Sequence, residues 1–393
     1  MKQRRKMKVI ETSTIPIKIW TDTAEDGAIE QAQNLAGLPF AKKWICLMPD
    51  THLGYGMPIG GIIATEEVVI PNAVGVDIGC GMKARKTNLT ELDKETLKNI
   101  LNQIQRDVPT GFNHQLKPQP LSQELMDMTK SISYENTVIR EIVNKMPKQM
   151  GTLGGGNHFI EIQKGDDGHI WIMLHSGSRG IGKMTCDYYN KMAETLNAQW
   201  YSYQAKELAF LPLKSPQGME YMQAMKIAMR FAEENRLMML ERVTDAMKKF
   251  CPSMEVEEAI DTHHNYASLE SHYEKNYLVH RKGAVRAIGK VIIPGSMGSY
   301  SYIGEGLQNP ESFWSCSHGA GRRMGRKEAT RQYSVQQVLE EMKAKDIELY
   351  KVKKDDVAEE CAAAYKDIDE VMENQKDLVK PLVKMHPIGV VKG

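Results

Sequence analysis

The chain has 393 residues, of which 41% are hydrophobic and 26% charged, with 51 basic and 50 acidic side chains and a net charge of +1. That length exceeds the ~100–200 residues of a usual single domain and is enough to bury a large core. The balanced charge excludes a general polyanion binder, which carries a clear excess of lysine and arginine, and no apolar run approaches the ~18 residues of a membrane span.

Met1 to Thr14 is basic but lacks the apolar segment of a secretory signal. The six cysteines, at 46, 80, 186, 251, 316 and 361, are scattered, which predicts reduced thiols and a cytoplasmic setting. Ile15–Ile19 alternates at period two, and Pro16 predicts an edge strand. Trp44–Met48 is a fully apolar run suited to a buried strand. Pro49–Gly61, with four glycines and two prolines, reads as a structural turn or a ligand-lining loop. Thr90–Asp93 resembles a capping box before a helix with Leu97, Leu101 and Ile104 on one face, ended by Pro109. Residues 110–147 read as loops with short helices. Met150–Ile162 is a glycine turn feeding a strand, and His169–Leu174 is a second, alternating strand. Residues 183–250 form a helical segment. Ser215-Pro216 starts a helix there, whose Met222, Met225, Met229, Met239 and Met247 predict core packing. Strands return at Tyr277–His280 and Lys290–Ile293, and Ser334 caps a helix with Gln337. No linker or repeat divides the chain, which predicts one domain over 1–393. Arg281, Lys282, Arg286 and Lys290, and then Arg322, Arg323, Arg326, Lys327 and Arg331, form two local basic clusters that read as solvated faces or binding patches.

The stretch Val74-Gly75-Val76-Asp77-Ile78-Gly79-Cys80-Gly81-Met82 sets an aspartate and a cysteine among three glycines, a pattern that argues for a tight backbone path aiming both side chains at one point. Alone it reads more readily as a bulged strand end with a buried thiol. Four histidines in similar settings, His158, His175, His264 and His318, change that reading. Carboxylate, thiolate and imidazole together suit Zn²⁺, Mn²⁺ or Fe²⁺ better than Mg²⁺ or Ca²⁺. A thiolate can bridge two metals, and a two-metal site suits phosphoryl transfer. Ile293–Gly298 and His318–Arg322 present small residues whose backbone N–H groups can approach an anion. His318 beside Gly319 and Arg322 is composed for a nucleophile, with the arginine to steady developing charge.

The strings VGVDIGCGM, LGGGNHFIEI, HSGSRGIG, HHNYA, HRKGA, IPGSMG, HGAGR, AYKDID and the terminal VVKG, running from about residue 45 to 393, closely resemble the RtcB family of GTP-dependent RNA-splicing and repair ligases. The resemblance implies an α+β fold, a single large domain with central β-sheets surrounded by helices and a metal site in a central cleft. It implies two Mn²⁺ ions, one on Asp77, Cys80 and His158 and one on Cys80, His175 and His264, with Cys80 shared. It makes His318 the residue that takes GMP from GTP, and places Arg179 near the metals. Asn157, His158, Phe159, Ile160, Glu161, His264, Asn265, Pro294, Gly295, Ser296, Met297, Ser301, Gly319, Ala320, Gly321, Tyr365 and Lys392 match nucleotide contacts, with Lys392 on guanine. The implied reaction joins RNA 3′-phosphate or 2′,3′-cyclic phosphate ends to 5′-hydroxyl ends, in tRNA splicing or RNA repair, with an archease-like activator among the implied partners. Two competing expectations are a metal-dependent phosphoesterase acting on RNA ends without ligation and a non-catalytic RNA-binding relative. The sequence departs from the family pattern at Cys361-Ala362-Ala363, where Glu-Ala-Pro is expected, and at Ser299-Tyr300, which replaces a smaller pair. The chain is also at the short end for that family, and residues 184–256 offer no family motif.

Overall fold

Short apolar runs parted by glycine and proline turns fold as two large sheets in the computed structural model, which describes residues 7–130, 132, 136–202, 204–205, 207–351 and 357–393. Lys2, Arg4, Arg5 and Lys6 of the basic N-terminus lie outside the described residues. The first sheet has six strands, ordered Lys8–Ile10, Ile17–Ile19, Ala41–His52, Ile59–Thr65, Lys275–Lys282 and Asn265–His272. The second runs Val256–His263, Gly81–Thr87, Ile170–Ser176, Phe159–Gly165, Val379–Lys392, Ser301–Leu307 and Ile288–Ile293, with Glu348–Tyr350 also on Val379–Lys392. Among the described strand pairs only Ile17–Ile19 with Ala41–His52 and Glu348–Tyr350 with Val379–Lys392 are parallel. Antiparallel sheets with separate helices make the fold mixed α and β in the α+β sense.

The sheets are joined through the chain itself. Val256–His263 belongs to the second sheet and Asn265–His272 to the first, so the backbone crosses between them at His264. The 35-residue helix Pro216–Phe250 backs the second sheet. Ser215 caps it by accepting from Gly218 N at 3.0 Å, and Pro216 fills the first turn, where its missing N–H costs nothing. Met239, Val243 and Met247 pack on Ile160, Ile162, Ile172 and Leu174 of the sheet. Met225 and Phe231, a few turns earlier, pack with Ile142 and Met146 of Thr137–Gln149 and Ile181 and Tyr189 of Gly180–Gln199. Each methionine buried here stabilises by about 1.5–3 kcal/mol.

Several local expectations need correction. Ile17–Ile19 is an inner strand, because Pro16 precedes it and offers only its carbonyl, which accepts from Ile45 N at 3.0 Å. Ala41–His52 and Ile59–Thr65 absorb both ends of the glycine-rich stretch, leaving 53–58 as loop. Asp93, not Thr90, caps Lys94–Asp107, accepting from Glu95 N and Thr96 N. Ile170–Ser176 is buried on both faces rather than alternating, since helices cover one side and the sheet's own core the other. The first basic cluster is split: Arg281 is fully buried on Glu270 and the Lys282 ammonium donates to Tyr55 O and Asn72 O, whereas Arg286 and Lys290 are exposed.

Candidate metal and nucleotide site

Strand ends bring the predicted residues together. In the second sheet Gly81 pairs with both His263 and Ser176, and Phe159 with both His175 and Lys392. Cys80 immediately precedes one strand, His158 another, His175 ends a third and His264 follows a fourth, so neighbouring antiparallel strands deliver all four to one end of the sheet. Asp77 lies in the turn before Cys80, whose backbone is held by the Asn265 side-chain amide donating to Asp77 O at 3.0 Å. Gly79 (φ +72°) lets this turn meet the long helix, since a Cβ there would lie 2.8 Å from Met229 Cα.

The donor atoms converge. Cys80 Sγ is 3.5 Å from His158 Nε2 and 3.2 Å from His175 Nε2, and His158 Nε2 is 3.1 Å from Asp77 Oδ2. His175 Nε2 and His264 Nε2 are 3.3 Å apart. His158 and His175 each point Nδ1 at a backbone carbonyl, Leu153 O at 2.9 Å and Asn157 O at 3.2 Å. Those carbonyls accept from the Nδ1–H groups and leave the Nε2 lone pairs facing inward, as a metal-binding histidine needs. Burial holds the His175 and His264 imidazoles well below their ordinary pKa, hence neutral. Burial and the neighbouring Asp77 raise the Cys80 thiol, whereas Asp77, despite its own burial, is kept low by His158. His264 Nδ1 is buried without a partner. Inward lone pairs, a carboxylate, a thiol and neutral imidazoles fit a divalent transition metal, and Cys80, His158 and His175 form a group that could hold one.

His318 faces this cluster, its ring centroid 4.8 Å from that of His264. Asp50 is fully buried and accepts at Oδ2 from both His318 N (3.0 Å) and His318 Nδ1 (2.6 Å). The carboxylate thereby fixes the Nδ1–H tautomer and leaves Nε2 with a free lone pair. His318, Asp77, Cys80, His175 and His264 open on one cleft of about 560 Å³. From there it extends past Phe159, Pro294–Met297 and Gly319–Arg322 to Arg326, Glu360, Tyr365 and Lys392. At that end Glu360 accepts from Arg322 and Arg326 (3.2 Å each) and from the Tyr365 hydroxyl, and lies 3.6 Å from Lys392 Nζ. Burial alone would raise its carboxyl, but Lys392, Arg326 and Arg322 hold it down to about 2.

Some predicted residues stand back from the cleft. Arg179 is stretched behind it, Nε donating to Thr152 Oγ1 (2.9 Å) and Nη2 to Gly111 O (2.7 Å). Its φ of +59° is uncommon for a non-glycine residue. Gly154 (φ +96°) makes room, since a Cβ there would fall 2.2 Å from Arg179 Nη1 and 2.6 Å from His158 Nδ1. Ile160 packs in the core, as strand alternation demands, and Glu161 is buried two residues beyond Phe159 on the same strand. Ser301 Oγ accepts from Gly295 N at 3.1 Å and Ser299 Oγ from Ser296 N at 2.7 Å, so these serines brace the Pro294–Met297 turn, and its N–H groups at 295 and 296 are already satisfied.

The sequence reading missed Asp50, Glu360, Asn235 and Arg236. Asn235 on the long helix binds Gly151 N (2.7 Å), Thr152 N (3.1 Å) and Gly177 O (3.2 Å). Arg236, wholly buried, donates to Gly79 O at 2.7 Å and Ser176 O at 3.1 Å, bonds His263 Nδ1 and pairs with Asp261. The two side chains hold the turns bearing Cys80, His158 and His175. Glu360 sits one place before the Cys361 departure and supplies the acidic group there.

Comparison with known proteins gives the family. A family model described as "tRNA-splicing ligase RtcB" matches residues 31–393. The chain is 38% identical to the "RNA-splicing ligase RtcB" of Escherichia coli (strain K12), over 98% of this chain and 99% of that protein. It is 34% identical to the "tRNA-splicing ligase RtcB" of Pyrobaculum aerophilum, over 96% and 95% of the two chains, and 33% identical to that of Thermococcus kodakarensis, over 94% and 92%. With a family match over nearly its whole length and relatives of this identity, the chain belongs to the RtcB family.

Proposed function

We propose that this chain is an RNA ligase that joins RNA 3′-phosphate or 2′,3′-cyclic phosphate ends to 5′-hydroxyl ends, with GTP as co-substrate and two Mn²⁺ ions, in tRNA splicing or RNA repair. The observation that carries it is the Asp50-oriented His318 sharing one cleft with Asp77, Cys80, His175 and His264, with His158 beside Cys80. A phosphoesterase that uses water directly as its nucleophile would leave His318 without a role. We read residues 1–393 as one catalytic unit in the cytoplasm; its cysteines are free, and no described helix is long and apolar enough to cross a membrane.

Bound to Asp77, Cys80 and His158 and to Cys80, His175 and His264, the two cations would neutralise phosphate charge as Lewis acids. The chain's own groups do the rest. His318 Nε2 attacks the α-phosphorus of GTP, forming a P–N bond as the bond to pyrophosphate breaks, while His318 keeps its Nδ1 proton and Asp50, accepting from it, stabilises the imidazolium. Glu161 and Lys392 suit guanine, whose N1–H and 2-amino group donate and whose O6 accepts. An oxygen of the RNA 3′-phosphate then displaces His318 from GMP. Finally the 5′-hydroxyl attacks the activated RNA phosphorus, loses its proton and expels GMP, closing a 3′,5′-phosphodiester.

With α-labelled GTP and Mn²⁺ the chain is expected to acquire an acid-labile, alkali-stable label that is absent from His318→Ala. No label on the unaltered chain, or equal label on the variant, would sink this mechanism.

A further inference from the structure

The proposed chemistry leaves unexplained a loop at the back of the cleft. Phe112 and Leu116 are each 99% exposed, more than any other large hydrophobic side chain among the described residues. Scattered exposed apolar residues are ordinary, but this loop is stapled in place. Gly111 N donates to Gly154 O at 2.8 Å, Gln115 N to Lys148 O at 2.9 Å and Gln119 N to Pro147 O at 2.8 Å. Arg242 Nη2 donates to Gln119 Oε1 at 2.8 Å. A fixed backbone therefore holds two apolar side chains bare in water, which is how a binding surface is preorganised.

Its position says what it could meet. Gly111 O receives Arg179, whose guanidinium lies beside Gly154 and His158, so Phe112 is one residue from the group linking the loop to the metal donors. The charge is complementary to a polyanion. Residues 111–119 contain His114 and Lys117 and no acid, and Lys148 is exposed on the adjoining helix, where Lys145 is paired with Glu141. Among the described residues Lys117 and Lys148 have no acidic partner. An exposed ring flanked by cations is the composition that binds single-stranded nucleic acid, because any base offers a π face and the cations follow the backbone.

We propose that this loop seats the 5′-hydroxyl RNA strand, with a base near its end stacked on Phe112 and its phosphates beside Lys117 and Lys148. This rests on the ligase reading. In that reaction the 3′-phosphate strand carries the guanylate it has received and is anchored through the nucleotide end of the cleft. The hydroxyl strand has no such handle and needs a seat of its own.

The test is joining by the full chain, with the 3′-phosphate strand saturating, the 5′-hydroxyl strand varied and the rate expressed per chain that takes up GMP. Phe112→Ala is expected to raise KM for the hydroxyl strand about tenfold, and Phe112→Trp to restore it. An unmoved KM, or a change confined to the 3′-phosphate strand, overturns the proposal. So does an unmoved KM with lost self-association, which would assign the patch to a second copy of the chain. If the unaltered chain takes up no GMP, the ligase reading fails instead. Fluorescence anisotropy with a 5′-hydroxyl oligoribonucleotide then tests the loop alone: weaker binding by Phe112→Ala supports the seat, and equal binding removes it.

Discussion

Asp50 and Glu161 are both buried carboxylates, and their neighbours give them different work. Asp50 faces His318 and fixes its tautomer. Glu161 faces no imidazole: it accepts from Gln163 Nε2, and burial pushes its carboxyl up to about 7 against the pull of Gln163 and Lys392. If Glu161 accepts the guanine donors, it must be ionised to do so. As pH falls through about 7 it takes a proton and loses acceptor capacity, so guanine affinity falls on the acid side. KM for GTP in the labelling step is therefore expected to rise about tenfold between roughly pH 8 and pH 6, the change in the ionised fraction of a group with that pKa. Glu161→Gln should flatten the profile and weaken the preference for GTP over ATP, since adenine lacks the N1–H donor. A flat profile in the unaltered chain, or the same slope in the variant, would remove Glu161 from guanine recognition.

Among the elements, the helix Pro216–Phe250 does more than pack. Arg236 reaches from it to the carbonyls of Gly79 and Ser176, next to Cys80 and His175. Arg236→Met leaves those carbonyls unmet and removes one of the two cations beside Asp261, the other being Lys83. Each lost hydrogen bond from the guanidinium costs about 1.5–3 kcal/mol. Loss of a ligand's supporting contact lowers metal affinity about 10–100-fold. Calorimetric Mn²⁺ titration of the folded variant checks this, and an unweakened affinity would leave Arg236 a purely structural role. The same helix shows why only part of the site was legible. Cys80, His158, His175 and His264 sit at strand ends beside glycine, serine or asparagine, so turn chemistry marks them in contiguous sequence. The methionine stripe was equally plain because its period is that of a helix face. Asn235 and Arg236 carry no such mark: a polar pair in a helix reads as solvent-facing until a packed neighbour makes it internal. Glu360 and Asp50 were hidden similarly, each made functional by a partner far along the chain, Lys392 or His318. Strand existence was readable from apolar runs. Strand order, and with it the inner place of Ile17–Ile19, depended on pairings over long separations that local pattern does not encode.

For the whole molecule, the decisive fact is that the two sheets meet where the donors meet. Asp77, Cys80, His158 and His175 belong to the ends of the second sheet, while His264 is the residue at which the chain passes into the first. A metal held by His175 and His264 would pin that crossing, and Cys80, shared by both proposed ions, would tie it to the other three ligands. Metal loading should then stabilise the fold as a unit rather than a loop. At about 100 times Kd a ligand that binds only the folded state contributes about 2.7 kcal/mol. In a chain this long that moves the melting temperature by a few degrees. The unaltered chain, stripped with chelator, is expected to melt earlier and to recover its midpoint when Mn²⁺ is returned. Cys80→Ala removes the shared thiolate while leaving both sheets' ladders intact, so it should melt near the stripped protein and gain almost nothing from Mn²⁺. His264→Ala, which removes one ligand of one ion, should keep part of the gain. Were Cys80→Ala to recover as fully as the unaltered chain, the thiol would not be shared between two ions, and the site would reduce to the separate contacts of Asp77 and the histidines.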